Sequence, residues 1–333
     1  MLQGGTLKAE NCRLSDIIAG TLGGGTQPNI QLSDCKVVGV TARDEGLVSC
    51  INCRFFTNWN MVDGSTIRVV LEGCYFGEPD GTTVGDPKFF TAGRITINNC
   101  AFETSITAFG KPGSSTDLVA ANTDFRTWVT LSGTRAVLTN CTLDFCRIQD
   151  TVKATLTHCS SPHGTLYLER LLITSTTPCE ISNCYFLNEI GTTTSSVTGA
   201  SHHFSNCTFN GRIAFVLAAT QNMLVENCVF VDSDTSSPGG STIDCSGTGG
   251  SITFSNCSIS SIGPVTFKPN IAIGLGSACQ VYLNNNVMST SGQFNVVNNA
   301  GAGQLFSGVN TATNGTGLSG ASSALPGAGV SPF

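Results

Sequence analysis

The chain has 333 residues, of which 11% are charged and 40% hydrophobic, and its formal net charge is −6. This composition is too apolar for a disordered chain, and with 38 glycines and few strong helix formers it does not suit a helical bundle. The acidic balance argues against nucleic acid as a partner, and no apolar run approaches the ~20 residues that membrane insertion needs. The segment after Met1 lacks the basic and apolar regions of a signal peptide.

A short motif, Asn-Cys-x followed by a large apolar residue, recurs along the chain. Its clearest copies begin, in chain order, at Asn11, Asn52, Asn99, Asn140, Asn183, Asn206, Asn227 and Asn256. Degenerate copies fill the gaps at Asp34-Cys35, Gly73-Cys74, Asn122-Thr123, His158-Cys159 and Asn285-Asn286. The thirteen copies lie about 23 residues apart, a period typical of solenoid repeats.

The residues around each copy predict two short strands and a bend. The positions three and five residues before the Cys are apolar, and so is the position two residues after it, with His202 and Ser161 as exceptions. Each run alternates as a strand does, but the two runs are out of phase at the Asn. Because Asn tolerates a left-handed backbone, we expect it to form a corner that turns both strands toward one core. Stacked coils would then carry ladders of Asn, Cys and Phe, with hydrogen bonds along the Asn ladder.

This pattern resembles the right-handed parallel β-helix of the pectate-lyase-like superfamily, in which an Asn ladder marks the corner between the second and third sheets. The resemblance implies an all-β solenoid of about 13 coils over residues 1–290. An uncharged C-terminal extension, rich in Gly, Ser and Ala, would follow over residues 291–333. The superfamily includes lyases, hydrolases, phage tailspikes, adhesins and inert rods, so it leaves the activity open.

Sixteen cysteines raise the question of disulfides or metal. Eleven belong to the repeated motif, and strand parity turns them inward in one column, where parallel Cα–Cβ bonds are a poor geometry for disulfides. We interpret them as buried thiols that act as small hydrophobic residues. So many free thiols favour assembly in a reducing compartment. Cys50-x-x-Cys53 has no second half, so we predict no metal site and no cofactor.

Two acids on neighbouring coils are weak candidates for catalysis. Asp124 and Asp144 are expected to project outward from one sheet at a distance that suits the acid and base of a glycosidase. Asn122-Thr123-Asp124 also resembles the Asn-Thr-Asp box of polygalacturonases, but the companion boxes of that family are absent. The alternative is a surface ion pair, because Arg126 is expected directly beneath Asp144.

Aromatic and basic residues supply the remaining candidates for ligand binding. Trp59 and Trp128 fall outside the inner columns, where an exposed ring can stack on a sugar, although packing within loops is the alternative. Arg13, Lys36 and Arg54 occupy the same position on the first three coils. A row of this kind is either the base of a lyase or a solvated basic stripe.

The C-terminal region has an unusual composition, since no charged residue follows Lys268. We predict that residues 291–333 form an oligomerisation or docking segment, with a homotrimer as the expected assembly. The alternative is a flexible tail.

Three classes of function remain. The favoured one is a structural or receptor-facing component of a virus or phage particle, such as a tailspike, fibre or capsid appendage, assembled in the host cytoplasm. Its expected partners are further copies of itself, other virion proteins and, as an optional ligand, a surface glycan. The alternatives are a polysaccharide-active enzyme, either hydrolase or lyase, and an extracellular adhesin at a cell surface.

Overall fold

The structure is a computed structural model. It describes residues 2–3, 5–20, 27–43, 45–56, 59–61, 66–77, 87–89, 93–103, 106–133, 135–150, 152–161, 171–187, 195–232, 241–261, 271–275, 278–290, 294–298, 305–313, 318–319 and 323–324. Every regular element among these residues is a β-strand, and no helix in them could cross a membrane. The chain divides into two compact units, Met1–Ser160 and Ser161–Phe333.

The N-terminal unit repeats a coil of three strands. The long strand of each coil precedes the motif, and these strands are Gly5–Glu10, Pro28–Ser33, Glu45–Ile51, Thr66–Glu72, Arg94–Asn98, Asp117–Ala121, Arg135–Thr139 and Lys153–Thr157. The short second strands are Arg13–Leu14, Lys36–Val37, Arg54–Phe55, Tyr75–Phe76, Ala101–Phe102 and, ending one residue past the unit, Ser160–Ser161. The third strands are Leu2–Gln3, Ile17–Gly20, Val40–Ala42, Trp59–Met61, Lys88–Phe89 and Ile106–Phe109. Second and third strands are continuous in Asp124–Leu131 and Thr142–Ile148.

The C-terminal unit repeats the same coil. Its long strands are Glu180–Ser182, His203–Ser205, Asn222–Glu226, Ser251–Ser255, Gln280–Asn284, Leu305–Ser307 and Ser323–Ala324. Its second strands are Tyr185–Leu187, Thr208–Asn210, Val229–Asp232, Ser258–Ser261, Val287–Thr290 and Thr311–Thr313. Its third strands are Leu171–Ile173, Ser195–Thr198, Ile213–Leu217, Ser241–Gly247, Ile271–Leu275, Phe294–Asn298 and Leu318–Ser319.

Strands of the same kind pair in parallel from one coil to the next. In the N-terminal unit, for example, Ile30 pairs with Val48, which in turn pairs with Val69. In the C-terminal unit, Val225 pairs with Phe254 and Phe254 with Leu283. Each unit is therefore a stack of parallel coils, and the predicted all-β parallel β-helix is confirmed.

The predicted boundary at residue 290 is wrong, because parallel pairing continues beyond it. Phe294–Asn298 pairs with Ile271–Leu275, and Leu305–Ser307 pairs with Gln280–Asn284. The strands Thr311–Thr313, Leu318–Ser319 and Ser323–Ala324 extend the same three stacks. The described parts of residues 291–333 are thus further coils of the solenoid. The rest of that segment, and with it the predicted tail, lies outside the described residues.

The corners lie where the motif places them. Thirteen corner residues have φ between 48° and 62°, namely Asn11, Asp34, Asn52, Gly73, Asn99, Asn122, Asn140, His158, Asn183, Asn206, Asn227, Asn256 and Asn285. This left-handed conformation is open to Gly and, at lower cost than for other residues, to Asn, Asp and His. The corner thus explains both the frequent Asn and its three substitutes, Asp34, Gly73 and His158.

The amide ladder at the corners exists in pieces. Asn140 Nδ2 donates to Asn122 Oδ1 at 2.8 Å, and Asn285 Nδ2 donates to Asn256 Oδ1 at 2.7 Å. At Asn99 the amide donates instead to Glu72 Oε1 at 2.8 Å. The corner residues are exposed, so the ladder runs along the outer edge of the coils.

The residue after each corner, which we call the inner corner residue, is buried in every coil except the first. In eleven coils it is a free Cys, and its thiol donates to the carbonyl oxygen two residues earlier, as in Cys35 to Ser33 at 3.1 Å. The same pattern holds for the other ten cysteines, at 3.1–3.6 Å. Thr123 replaces Cys and makes the equivalent bond to Ala121 at 2.8 Å. The predicted column of buried, free thiols is confirmed except at Cys12, which is exposed, and the structure adds that each of these thiols is also a hydrogen-bond donor.

The side chain at this position also accepts a bond from the neighbouring coil. The backbone N–H of Cys74 donates to Cys100 Sγ at 3.3 Å, and that of Cys207 donates to Cys228 Sγ at 3.4 Å. Where the inner corner residue is Asn286 or Asn310, its side-chain amide oxygen is the acceptor. The backbone N–H of Cys257, for example, donates to Asn286 Oδ1 at 2.8 Å. A buried N–H without a partner is costly, so this acceptor stabilises the bend.

Stacked aromatic rings fill the core beside the corners. In the N-terminal unit, ring centroids 4.4–4.9 Å apart join the column Phe55, Phe76, Phe102 and Phe125. In the C-terminal unit, spacings of 5.3 and 5.0 Å join Phe186, Phe209 and Phe230. These residues lie two positions after the inner corner residue, so the predicted Phe ladder is confirmed.

His202, the exception in an apolar column, is buried with both ring nitrogens bonded. Nδ1 accepts from the backbone N–H of Cys179 at 3.1 Å, and Nε2 lies 3.0 Å from the carbonyl oxygen of Thr198. These partners require the neutral ring with its proton on Nε2. Burial lowers the pKa of His202, which is consistent with the neutral form.

Candidate functional site

Asp124 begins the strand Asp124–Leu131 and is held by a basic neighbour. Arg126 Nε donates to Asp124 Oδ2 at 2.6 Å, and Arg126 Nη1 donates to Glu103. The ion pair with Asp124 raises the pKa of the Arg126 guanidinium. Asp124 is therefore part of a surface ion-pair network, which was the alternative to a catalytic role. The acid that pairs with Arg126 is Asp124, not Asp144 as expected.

Asp144 does not project outward, and that expectation is wrong. Its exposed fraction is 7%, within the strand Thr142–Ile148. The reason is a β-bulge: Phe125 pairs with Leu143 and Trp128 with Phe145, so two residues on one strand oppose Asp144 alone. The bulge marks the turn from second to third strand and shifts the inside–outside alternation there. The two acids therefore do not flank an open surface as a glycosidase requires.

The expectation that Trp59 is an exposed ring for sugar stacking is also wrong, since its exposed fraction is 0%. Trp59 begins the third strand of its coil and pairs with Val40. Its ring meets the rings of Phe55 at 4.7 Å and Phe89 at 5.5 Å. The third strand starts only four residues after Phe55, which places Trp59 in the core instead of a loop.

Trp128 lies in a strand and is half-buried. Its ring packs against Phe145 with the centroids 4.7 Å apart. Packing is thus its observed role, and its binding to a sugar stays a prediction.

The basic row expected on the first three coils is present on the second strands of the N-terminal unit. Arg13 pairs with Lys36, and Lys36 pairs with Arg54, so the three cations lie directly above one another. Parallel strands place neighbours ~4.8 Å apart. Arg13 and Lys36 are exposed and Arg54 is half-buried. Among the described residues, none of the three forms an ion pair.

At the Arg54 end of this row of cations, the guanidinium group packs against two aromatic rings. The Arg54 guanidinium lies 4.6 Å from the ring centre of Tyr75 and 5.6 Å from that of Phe56. The Tyr75 hydroxyl donates to Glu103, and burial together with this bond raises the pKa of Tyr75. Tyr75 therefore stays neutral near pH 7, and its ring fixes the direction of Arg54 through a cation–π contact. We call Arg13, Lys36, Arg54 and Tyr75 the cation row.

A cleft of about 470 Å³ lies on the long strands of the same three coils. Its lining combines polar and apolar residues, namely Lys8, Ala9, Glu10, Gln31, Leu32, Ser33, Ser49 and Ile51. The corner residues Asn11, Asp34 and Asn52 lie between these strands and the cation row along the chain. The sequence did not predict the cleft, because its lining residues follow the ordinary alternation of a half-buried strand.

The chemistry of these features suits negatively charged groups and hydroxyl groups. Cations at a regular spacing attract successive negative groups, while amide, hydroxyl and aromatic side chains suit sugar hydroxyls and faces. Comparison with protein-family models, with curated proteins and with solved structures finds no match.

Proposed function

We propose that this chain is a structural, receptor-facing component of a virus or phage particle, a rod related to the non-catalytic members of the pectate-lyase-like superfamily. The observation that carries the proposal is the state of the cysteines. All sixteen are free, and all but Cys12 are buried. Eleven of the thiols close the corners by hydrogen bonds, so the fold depends on reduced cysteine. Folding of this kind suits a reducing cytoplasm, where virus particles assemble.

The geometry favours a structural role over catalysis. The Asp124 carboxylate is engaged by Arg126, and Asp144 is buried. What the described residues provide instead is a repeated, in-register scaffold. Every coil adds backbone bonds and a packed core layer to its neighbours, which is how a solenoid gains stiffness.

The first three coils are the proposed receptor-facing region. The cation row and the cleft both occupy these coils, and both present polar groups at the spacing of the strands. A glycan that carries carboxylate or sulfate groups fits this chemistry, because charge-assisted bonds to regularly spaced cations are strong and directional.

Localisation is tested on the producing cells. Particles purified on a density gradient and analysed by mass spectrometry should contain the chain at a fixed ratio to the major capsid protein. Its recovery only in soluble fractions, free of particles, would contradict the proposal.

The ligand is tested with two matched charge reversals. Lys36→Glu, in the cation row, should weaken binding of an anionic polysaccharide such as heparin about tenfold or more. Lys88→Glu makes the same change at an exposed lysine outside the row and should leave the affinity within about twofold. Binding should also weaken as salt is raised. Equal effects of the two variants, or tighter binding to a neutral dextran, would contradict the assignment of the row.

A further inference from the structure

The His202 ring joins two successive coils of the C-terminal unit, at the turn that leads from a third strand to the next long strand. Its Nε2 donates to the carbonyl oxygen of Thr198, the last residue of the third strand Ser195–Thr198, at 3.0 Å. Its Nδ1 accepts from the backbone N–H of Cys179, in the preceding coil, at 3.1 Å. One side chain therefore closes the turn of residues 198–202 and fastens it to the coil before it.

The corresponding turns of the two neighbouring coils are closed by side chains that do not titrate. In the preceding coil, Ser175 Oγ accepts from the backbone N–H of Thr177 at 3.2 Å. In the following coil, Gln221 Oε1 accepts from the backbone N–H of Ala218 at 2.8 Å. Ser175 and Gln221 are buried, as His202 is. A hydroxyl or an amide thus serves at the same place, and of these three turns only that of His202 has hydrogen bonds that depend on pH.

The surroundings of the ring offer no charge to offset a proton. The buried thiol of Cys179 donates to the carbonyl oxygen of Thr177 at 3.5 Å. Strand alternation turns the other titratable side chains of the three adjacent long strands outward, namely Glu180, His203 and Glu226. His203 Nε2 lies 3.0 Å from Glu226 Oε1 on that outer face. No titratable side chain occurs on the three adjacent third strands, which are Leu171–Ile173, Ser195–Thr198 and Ile213–Leu217.

A proton on Nδ1 is incompatible with these contacts. The protonated ring has two N–H groups and no acceptor, so Nδ1–H would point at the N–H of Cys179 and leave that group without a partner. The charge would also be buried, since the exposed fraction of His202 is 1%, and burial lowers the pKa of this histidine. The ring therefore takes up a proton only when the turn moves away and admits water.

We propose that His202 is an acid-sensitive clamp, and that protonation of its Nδ1 releases the turn of residues 198–202 from Cys179 and opens this part of the C-terminal unit locally. The inference goes beyond the proposed function and does not depend on it. Local openings of this kind need less free energy than unfolding of the whole chain.

The direction of the pH dependence follows from proton linkage. The folded ring binds a proton less readily than a solvated histidine, whose pKa is about 6.5. Opening is therefore independent of pH above about pH 7 and becomes easier as the pH falls below about 6.5. Because one proton is taken up, the opening constant rises by up to about tenfold per pH unit, until the closed ring is itself protonated.

Hydrogen exchange of the full chain, followed by mass spectrometry, tests the clamp. His202→Gln keeps an acceptor and a donor but does not titrate. For peptides that cover residues 175–205, the ratio of wild-type to variant exchange rates should rise about tenfold between about pH 7.5 and about pH 5.5. Each ratio is taken at one pH, so the intrinsic pH dependence of exchange cancels. His203→Gln is the matched control, because it removes the neighbouring outward histidine, and it should retain the wild-type rise. A ratio that does not change with pH, or loss of the rise in His203→Gln, would overturn the proposal.

A second measurement uses the wild-type chain alone and holds even if His202→Gln does not fold. In nuclear magnetic resonance spectra of the chain with isotope-labelled histidine, the His202 ring is identified by its proximity to the Cys179 amide proton. At about pH 7.5 it should be the neutral form with its proton on Nε2. Its titration midpoint should lie below about 6.5 and coincide with loss of the contact to Cys179. A proton on Nδ1 at neutral pH, or a midpoint at or above about 6.5, would refute the clamp.

Discussion

The inner corner residue combines small volume with hydrogen-bonding capacity. Cys fills the space of a small apolar side chain, while its S–H reaches the carbonyl oxygen two residues earlier, as in Cys228 to Glu226 at 3.3 Å. A carbonyl oxygen has two lone pairs, so it accepts this bond beside the ladder bond from the adjacent coil. Hydrogen bonding to Cys207 and burial both raise the pKa of Cys228, which keeps its proton in place near pH 7. Ala would fit the space but remove both the S–H donor and the sulfur that accepts from the backbone N–H of Cys207.

Two buried cysteines separate the hydrogen-bonding role from the packing role. Cys228→Ala should lower the free energy of unfolding by about 1–3 kcal/mol, and Cys228→Ser by less, because the hydroxyl keeps the donor. Cys245 is fully buried and has no hydrogen-bond partner among the described residues, and its burial raises the pKa of its thiol. There the order should reverse, with Ser costing more than Ala, since a buried hydroxyl without an acceptor is penalised. Urea denaturation of the four variants measures the order, and the same order at both sites would refute the donor role.

At the scale of the element, the corner and the two strands beside it were predictable, whereas the third strand was not. All thirteen corner positions could be read from the motif, because the strands on either side keep a constant distance from the Asn. The third strand follows the second after a variable number of residues. Counting residues from the corner Asn therefore no longer tells which side chains of the third strand face the core. Trp59 and Asp144 were misplaced for this reason, and both lie in or beside a third strand.

Asn227 provides the test of the corner. Asn227→Leu should lower the free energy of unfolding by about 1–2 kcal/mol, because a left-handed backbone is strained for Leu. Asn227→Gly should cost far less, as Gly73 already occupies an equivalent corner with φ of 62°. Thr139→Leu, on an exposed strand position, should change stability by no more than about 0.5 kcal/mol. Equal effects of Leu at positions 227 and 139 would argue against strain at the corner.

At the scale of the molecule, the coils beyond residue 290 were not predicted, because different residues occupy the motif positions there. Asn310 takes the inner corner position, and its Nδ2 donates to the carbonyl oxygen of Gly308 at 3.1 Å. Val309 precedes it in place of the usual Asn, so no Asn-Cys pair marks the coil. The candidate binding region was predictable in part: the cation row follows from the repeat, but the cleft depends on the shape of three adjacent strands.

The burial of the thiols makes a further prediction for the whole chain. Cys12 is the one exposed cysteine of the sixteen, so a thiol reagent should react rapidly with about one group per native chain. Denaturation should expose all sixteen, and Cys12→Ser should abolish the rapid reaction. Reaction of the remaining fifteen should follow the unfolding transition as denaturant is raised. Rapid modification of several groups in the native state would contradict the burial of the column.

The exchange of Cys for Thr123, Asn286 and Asn310 has a consequence for tracing the ancestry of such chains. Within this chain the position requires a small side chain that donates a hydrogen bond to a nearby carbonyl oxygen, and Cys is not the only residue that meets this requirement. Three chemically different side chains meet that requirement, so descendants of one coil can diverge at most inner corners while their backbones stay superimposable. A sequence profile for such repeats should accept any small hydrogen-bond donor at the inner corner position. It should also require, one residue earlier, a residue that tolerates positive φ. Such a profile is suited to detecting related repeats whose overall sequence identity is low.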